Sequence, residues 1–276
     1  MPGGRRLVFA WIRDKKRRAF TAQPFPESWR AVLKSNVPQY AWLTELERAR
    51  LEDDLRIFIG EKSWEGCQGL VVTEEMQVTI AAYAILIALQ LPHDFYPNVE
   101  SILIYPTGFS VSEEKPGPFG TVMRTTSHRA GEAWSSNLPV VISWSDALAG
   151  ARRIDDGFNV IIHEFAHKLD GRGGVVDGVP QLPEQSDYDR WEQVMSRGFQ
   201  FLVSHASAGI PTVLNPYGAS GSAEFFAVAT ECFFERPVAL AATMHDLYSL
   251  LCDFYGVDLA SRLAGRAISP EPALMR

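Results

Sequence analysis

The amino-acid sequence predicts an α+β fold that is predominantly helical, with a small mixed β-sheet in its middle and a His-Glu-x-x-His helix soon after it. Three observations carry that reading. Apolar residues recur near helical spacing among charges, as with Leu46, Leu51, Leu55 and Phe58. The period then shortens toward two in Ser101-Ile102-Leu103-Ile104-Tyr105 and in Val140-Val141-Ile142, as strands require. Residues 159–170 return to the helical period, and two histidines stand four residues apart within them.

A chain of 276 residues, 46% of them hydrophobic, has the material for one packed domain. That domain is expected over 26–264, with a helical part at 26–100 and the chemistry-bearing core at 101–264. Residues 1–25 precede it as a basic, flexible arm, in which Arg5, Arg6, Arg13, Lys15, Lys16, Arg17 and Arg18 face Asp14 alone. A solvated arm is the plain explanation, and an anionic partner, membrane surface or nucleic acid, is the sharper one. The net charge of −7 weighs against nucleic acid as a general partner. The apolar run Leu7 to Ile12 is shorter than a secretion signal needs and leads into cations. Cys67, Cys232 and Cys252 fit no disulfide framework, so a reducing cytoplasm is the expected location.

Helices are predicted at 27–34 and 44–59, followed by a loop at 60–69. The most apolar helix starts near Val71, with Glu74 and Glu75 suiting the dipole of its first turn, and runs to about Leu91. Its apolar part contains Gln77, Thr79 and Gln90 and is too short to span a bilayer, so it reads as a core helix and no transmembrane segment is expected. Strands are expected at 101–105, within 121–126 after a Pro/Gly-rich loop at 116–120, and at 138–144 with Val140, Ile142 and Trp144 on one face. The helix that follows has Asp155 or Asp156 available as a cap and Gly171, Gly173 and Gly174 to end it. After it come an exposed loop at 171–185, a helix at 191–203, and a loop leading into an apolar helix that Ser222 can cap. A loose tail is expected over 265–276.

The chemistry concentrates in the second half. On a helix, residues four apart lie on one face with Cβ atoms about 5–6 Å apart, so His163 and His167 can reach one metal ion. Glu164 swings about 100° from His163 and can approach a water at that ion without binding the ion itself. The bland alternative is a surface helix with two histidines by coincidence. Against it stands the apolar stripe Ile161, Ile162, Phe165, Ala166 and Leu169, which would press the helix into a core. A catalytic zinc keeps three protein ligands, so one is missing. The third-histidine solution of the metzincins is excluded, because Asp170 and Gly173 occupy its required positions. Glu224, Glu231, His205 and His245 remain, and a glutamate on the apolar helix 223–234 is preferred because a carboxylate there needs a cation, a donor or a metal. Spacing favours Glu224 over Glu231 only weakly. The glutamate that does not bind metal would orient a histidine or form a salt bridge.

The segments Leu103-Ile104-Tyr105-Pro106, Val141-Ile142-Ser143-Trp144, Phe158 through Asp170, and Ala223-Glu224-Phe225-Phe226-Ala227-Val228 resemble the Mlc titration factor A family of bacterial zinc peptidases. The resemblance covers about residues 29–263, and around the site alone it extends to the catalytic domain of anthrax lethal factor. It implies a zincin-like metallopeptidase of the aminopeptidase kind, with one Zn2+ per chain held by His163, His167 and Glu224. It implies Glu164 as general base and Tyr217, seven residues before Glu224, as a catalytic helper, and it makes Lys168 an ordinary residue at its position. A peptide or protein substrate follows from that activity. The resemblance also raises a second role, in which a transcriptional repressor is bound and sequestered.

Overall fold

The computed structural model describes residues 3–92, 94–107, 111–116, 122–127 and 139–268. Its centre is α4, Glu74–Ala88, in which 12 of 15 residues are buried, so that no face of it meets solvent over most of its length. Thr73 starts α4 by accepting from Met76 N. Helices α2 (Glu27–Asn36), α3 (Glu45–Glu61) and α6 (Val160–Asp170) pack against it, and each fully buried Leu or Ile in that contact contributes about 1.5–3 kcal/mol. Tyr83, fully buried on α4, places its hydroxyl 3.2 Å from Asn36 O, Gln39 Oε1 and Ala151 O, joining α2, the turn after it and the end of the helix before α6.

The sheet is parallel, in the order β1 (Ser63–Gly66), β2 (Ser101–Tyr105), β5 (Val140–Ser143). Ile102 lies opposite Trp64 on one side and Val140 on the other, and Ile104 lies opposite Ile142. Helix α4 is the crossover that parallel pairing of β1 and β2 demands. The antiparallel element is separate: β3 (Val111–Pro116) pairs with β4 (Val122–Ser127) as its own two-stranded sheet. The expected mixture of strand directions is therefore divided between two sheets. The Pro/Gly-rich loop falls largely on 117–121, outside the described residues.

Several boundaries differ from expectation for identifiable reasons. Strand β1 lies inside the segment 60–69 read as loop; Ser-Trp-Glu-Gly has no strand pattern of its own, and pairing with β2 imposes the conformation. Trp144 opens helix α5 (Trp144–Arg152) instead of closing β5, with Asp146 in its first turn. In place of a flexible arm, Gly3–Thr21 forms α1. Arg17 holds it, with a two-pronged ion pair to Glu61 at 2.7 and 2.9 Å, a third bond to Asp94 at 2.6 Å, and its guanidinium 4.5 Å above the Phe95 ring. At the other end, after α9 (Pro237–Thr243) and α10 (His245–Tyr255), α11 (Leu259–Ile268) runs past the expected start of the tail, and Arg262 grips Glu47 with two bonds of 2.9 Å; residues 269–276 lie outside the described residues.

The segment 171–185 is strapped down. Asp170 Oδ2 accepts from Gly178 N at 2.7 Å, and Trp191 on α7 (Gln185–Ser207) donates from Nε1 to Gly178 O at 2.9 Å. Burial pushes the Asp170 carboxyl up to about 6. Gly178 has φ +87°, and a Cβ there would stand 2.6 Å from Ser222 O at the start of α8 (Ser222–Glu235). Gly174 has φ +98° but a Cβ there meets nothing within 4 Å. Gly178→Ala is expected to cost about 2 kcal/mol or more in urea denaturation and Gly174→Ala about 1 kcal/mol, the difference measuring the backbone clash.

Candidate metal centre

Helix α6 is held at its start by Asn159, not by Asp155 or Asp156. Asn159 Oδ1 accepts from Ile161 N at 3.1 Å and Ile162 N at 3.2 Å, while Asp156 accepts from Phe158 N in the preceding turn. At its other end Gly171 has φ −68°, and the left-handed residue is Gly174, one 3-10 turn further on. The apolar stripe is buried as its spacing requires: Ile161, Ile162, Phe165 and Ala166 are fully buried, with Phe165 edge-on to Phe58 and Tyr96. His163 and His167 face α8.

Helix α8 runs antiparallel to α6, so the beginning of one meets the end of the other. Asn159 N donates to Glu231 Oε2 at 2.6 Å, and Asn159 Nδ2 donates to Glu235 Oε1 at 3.1 Å. Further along, His163 Nδ1 lies 2.8 Å from Glu231 Oε1. Glu224 comes last, with Oε2 at 2.9 Å from His163 Nε2 and 3.5 Å from His167 Nε2. Ser222 does not cap this helix; it is its first residue, and Gly221 precedes it in extended conformation.

The two histidine Nε2 atoms are 3.2 Å apart, so three donor atoms form a triangle with edges of 2.9, 3.2 and 3.5 Å. Four-coordinate zinc with bonds of about 2.0–2.2 Å requires donors about 3.3 Å apart, so the triangle has the right size. The chemistry agrees with the geometry. Glu224 Oε2 is buried, an anionic oxygen aimed at two imidazole nitrogens, which is the arrangement a cation relieves. Among the described residues His163, His167 and Glu224 form the one group of three such donors that could hold a metal ion. His205 instead bonds Phe201 O with Nδ1, and His245 is exposed at the start of α10 (His245–Tyr255).

Electrostatics define the protonation of this cluster. Burial acts to lower the His163 pKa, but hydrogen bonds with Glu224 and Glu231 outweigh it and push the imidazole up to about 10. Burial acts to raise Glu224, yet the two histidines hold its carboxyl down at about 2. Glu231, almost wholly enclosed, is shifted upward by burial. A cation at His163 Nε2 would take the place of a proton there, between Glu224 and the imidazole that Glu231 holds at Nδ1.

Glu164 sits half-buried on α6 beside the triangle. Tyr217 lies on a 3-10 turn, Pro216–Ser220, capped by Asn215, whose Oδ1 accepts from Tyr217 N at 2.9 Å. Its ring is 5.9 Å from that of His163, it is 41% exposed, and burial together with the charges of Glu224 and Glu164 pushes its phenol up to about 12. Tyr217 is thus a neutral hydrogen-bond donor at physiological pH. Strand β5 packs against α6 and pairs only with β2 among the described residues, leaving one side as a sheet edge. Asn159, which shares a face with His163 and His167 at four-residue steps, and Glu235 support the site in roles that the sequence reading did not assign to them. The signals were present, an asparagine immediately before an apolar run and a Glu231/Glu235 pair one turn apart.

Two histidines from one helix and a glutamate from a second, with a further glutamate alongside, are a donor set of the kind that metal-dependent hydrolases use. The sequence comparisons agree. The chain belongs to the family of glucose-regulated metallo-peptidases M90, which it matches over residues 11–256. It is 37% identical over 245 residues to an uncharacterised protein of Synechocystis sp., covering 89% of each chain. It is 32% identical over 260 residues to the Mlc titration factors A of Yersinia pestis and Yersinia pseudotuberculosis, covering 93% of this chain and 92% of theirs.

Chelator competition tests the assignment within the cluster. Glu224→Ala should abolish stoichiometric metal binding. Glu231→Gln, which keeps the shape but removes the charge behind His163, should weaken it about 10–100-fold. His205→Ala and His245→Ala should leave it unchanged.

Proposed function

We propose that the protein is a zinc-dependent peptidase holding one Zn2+ per chain through His163, His167 and Glu224. The convergence of those three donor atoms at tetrahedral spacing, next to Glu164, is the observation that carries this reading. A zinc ion bound there supplies Lewis acidity at a carbonyl oxygen and at water, worth several kcal/mol of charge stabilisation. Glu164 takes the proton of the attacking water and delivers it to the nitrogen of the leaving amine. Tyr217, protonated because its pKa is pushed up, donates a hydrogen bond to the oxyanion that develops on the scissile carbonyl. The edge of β5 that no described residue pairs with offers backbone N–H and C=O groups with which an extended peptide can pair. Cleavage near a substrate's N-terminus, the aminopeptidase mode, is the expected specificity.

The setting is taken to be the cytoplasm. The three cysteines are free, and no helix among the described residues is long and apolar enough to cross a membrane. A second reading is favoured by the relatives named for titrating Mlc: the chain sequesters a transcriptional repressor, and hydrolysis is secondary. One variant separates the two. Glu164→Gln should lower kcat/KM on peptide substrates by about 100-fold or more with zinc content unchanged, and repressor binding, if that is the primary role, should persist. Tyr217→Phe should lower kcat by about 100-fold with a smaller change in KM. Peptide cleavage that survives Glu164→Gln in a preparation of verified metal content contradicts the mechanism.

A further inference from the structure

The peptidase reading leaves α1 unused. Its charge is opposite to that of the body: residues 1–18 carry seven basic residues and one acidic, a net +6, so the rest of a chain with net charge −7 carries −13. Helix α1 docks on the body through one side, where Arg17 bonds Glu61 and Asp94, Arg13 bonds Asp94 at 2.7 Å, and Phe20 lies over Gly60. The other side is bare. Trp11 is 61% exposed and Ile12 50% exposed, and Lys15, Lys16 and Arg18 next to them are exposed as well. The Lys15 ammonium lies 5.4 Å from the centre of the Trp11 ring, which puts cation and indole at the same level on the helix.

From this combination we infer that α1 is an interfacial helix that binds the surface of an anionic lipid bilayer. Three features favour that occupant. The bare side pairs a large aromatic and a branched aliphatic residue with cations, the composition of helices that lie in the headgroup region. Recognition of a phosphodiester backbone uses the same cations but does not call for an exposed Ile12 beside Trp11. The acidic body is repelled by the surface that attracts α1, so the molecule orients with α1 toward the lipid and the remainder away. The helix lies on the membrane and does not span it, since no helix among the described residues is long and apolar enough to do so. This inference is independent of the peptidase reading, because it uses no residue of the metal cluster.

Vesicle co-sedimentation of the full chain tests it. Vesicles of phosphatidylcholine containing one-third phosphatidylglycerol should bind at least about tenfold more tightly than phosphatidylcholine alone. Lys15→Glu, Lys16→Glu and Arg18→Glu together should weaken that binding about tenfold or more, and Trp11→Ala with Ile12→Ala should weaken it several-fold. All five positions are exposed, and unchanged thermal melting and circular dichroism verify that the variants fold. Failure to sediment with the anionic vesicles overturns the inference, and so does binding indifferent to the charge reversals. If the apolar pair makes no difference and duplex DNA at equal phosphate concentration displaces the protein from vesicles, α1 serves nucleic acid instead.

Discussion

The packing of α6 against α8 depends on one buried arrangement, the His163 imidazole held between Glu231 at Nδ1 and Glu224 at Nε2. Buried carboxylates are costly without partners, and each of these has one because the helices run antiparallel in this register. Asn159 fixes the register: its side-chain oxygen accepts from its own helix start, its backbone N–H donates to Glu231 and its side-chain Nδ2 donates to Glu235. A slip along α8 would break the cap contacts and the histidine contact together. The site and the helix interface are thus one polar network enclosed by apolar packing, which makes the network a geometric constraint as well as a chemical one.

That constraint also holds the donor triangle in place. Metal sites lose affinity when ligands must be ordered from many rotamers, and here His163 is oriented from behind while Glu224 is anchored on a helix buried at nearly every residue. Behind the triangle the network continues to Glu235, whose carboxyl burial pushes up to about 8. On the other side stand half-buried Glu164, partly exposed Tyr217 and the edge of β5 that no described residue pairs with. A closed side that positions the donors and a more exposed side that carries Glu164 and Tyr217 make the division a peptide substrate would require.

Much of this was legible in the residues, and the part that was not has a common cause. His163, Glu164 and His167 declare their shared helix locally, and so does the apolar stripe that buries it. Glu224 and Glu231 cannot be told apart that way. Seven residues bring them back to nearly the same face of α8, about 10 Å apart along its axis, so the choice between metal donor and histidine partner depends on how far α8 has slid along α6. Strand β1 exists through its pairing with β2, and α1 is docked through Arg17, Glu61 and Asp94, residues up to 77 positions apart. Caps failed for a related reason: Asp155, Asp156 and Ser222 had suitable chemistry, but Asn159 also answered to α8 and Gly221 to the turn that presents Tyr217. Local periodicity decided which elements exist, and non-local pairing decided their register and partners.

X-ray absorption at the zinc edge of the purified, zinc-loaded protein tests the central claim most directly. The account predicts one zinc per chain with two imidazoles and oxygen donors at about 2.0–2.2 Å and no sulfur, and loss of one imidazole on His167→Ala. Sulfur scattering, or zinc that cannot be brought to one equivalent per chain, would contradict it.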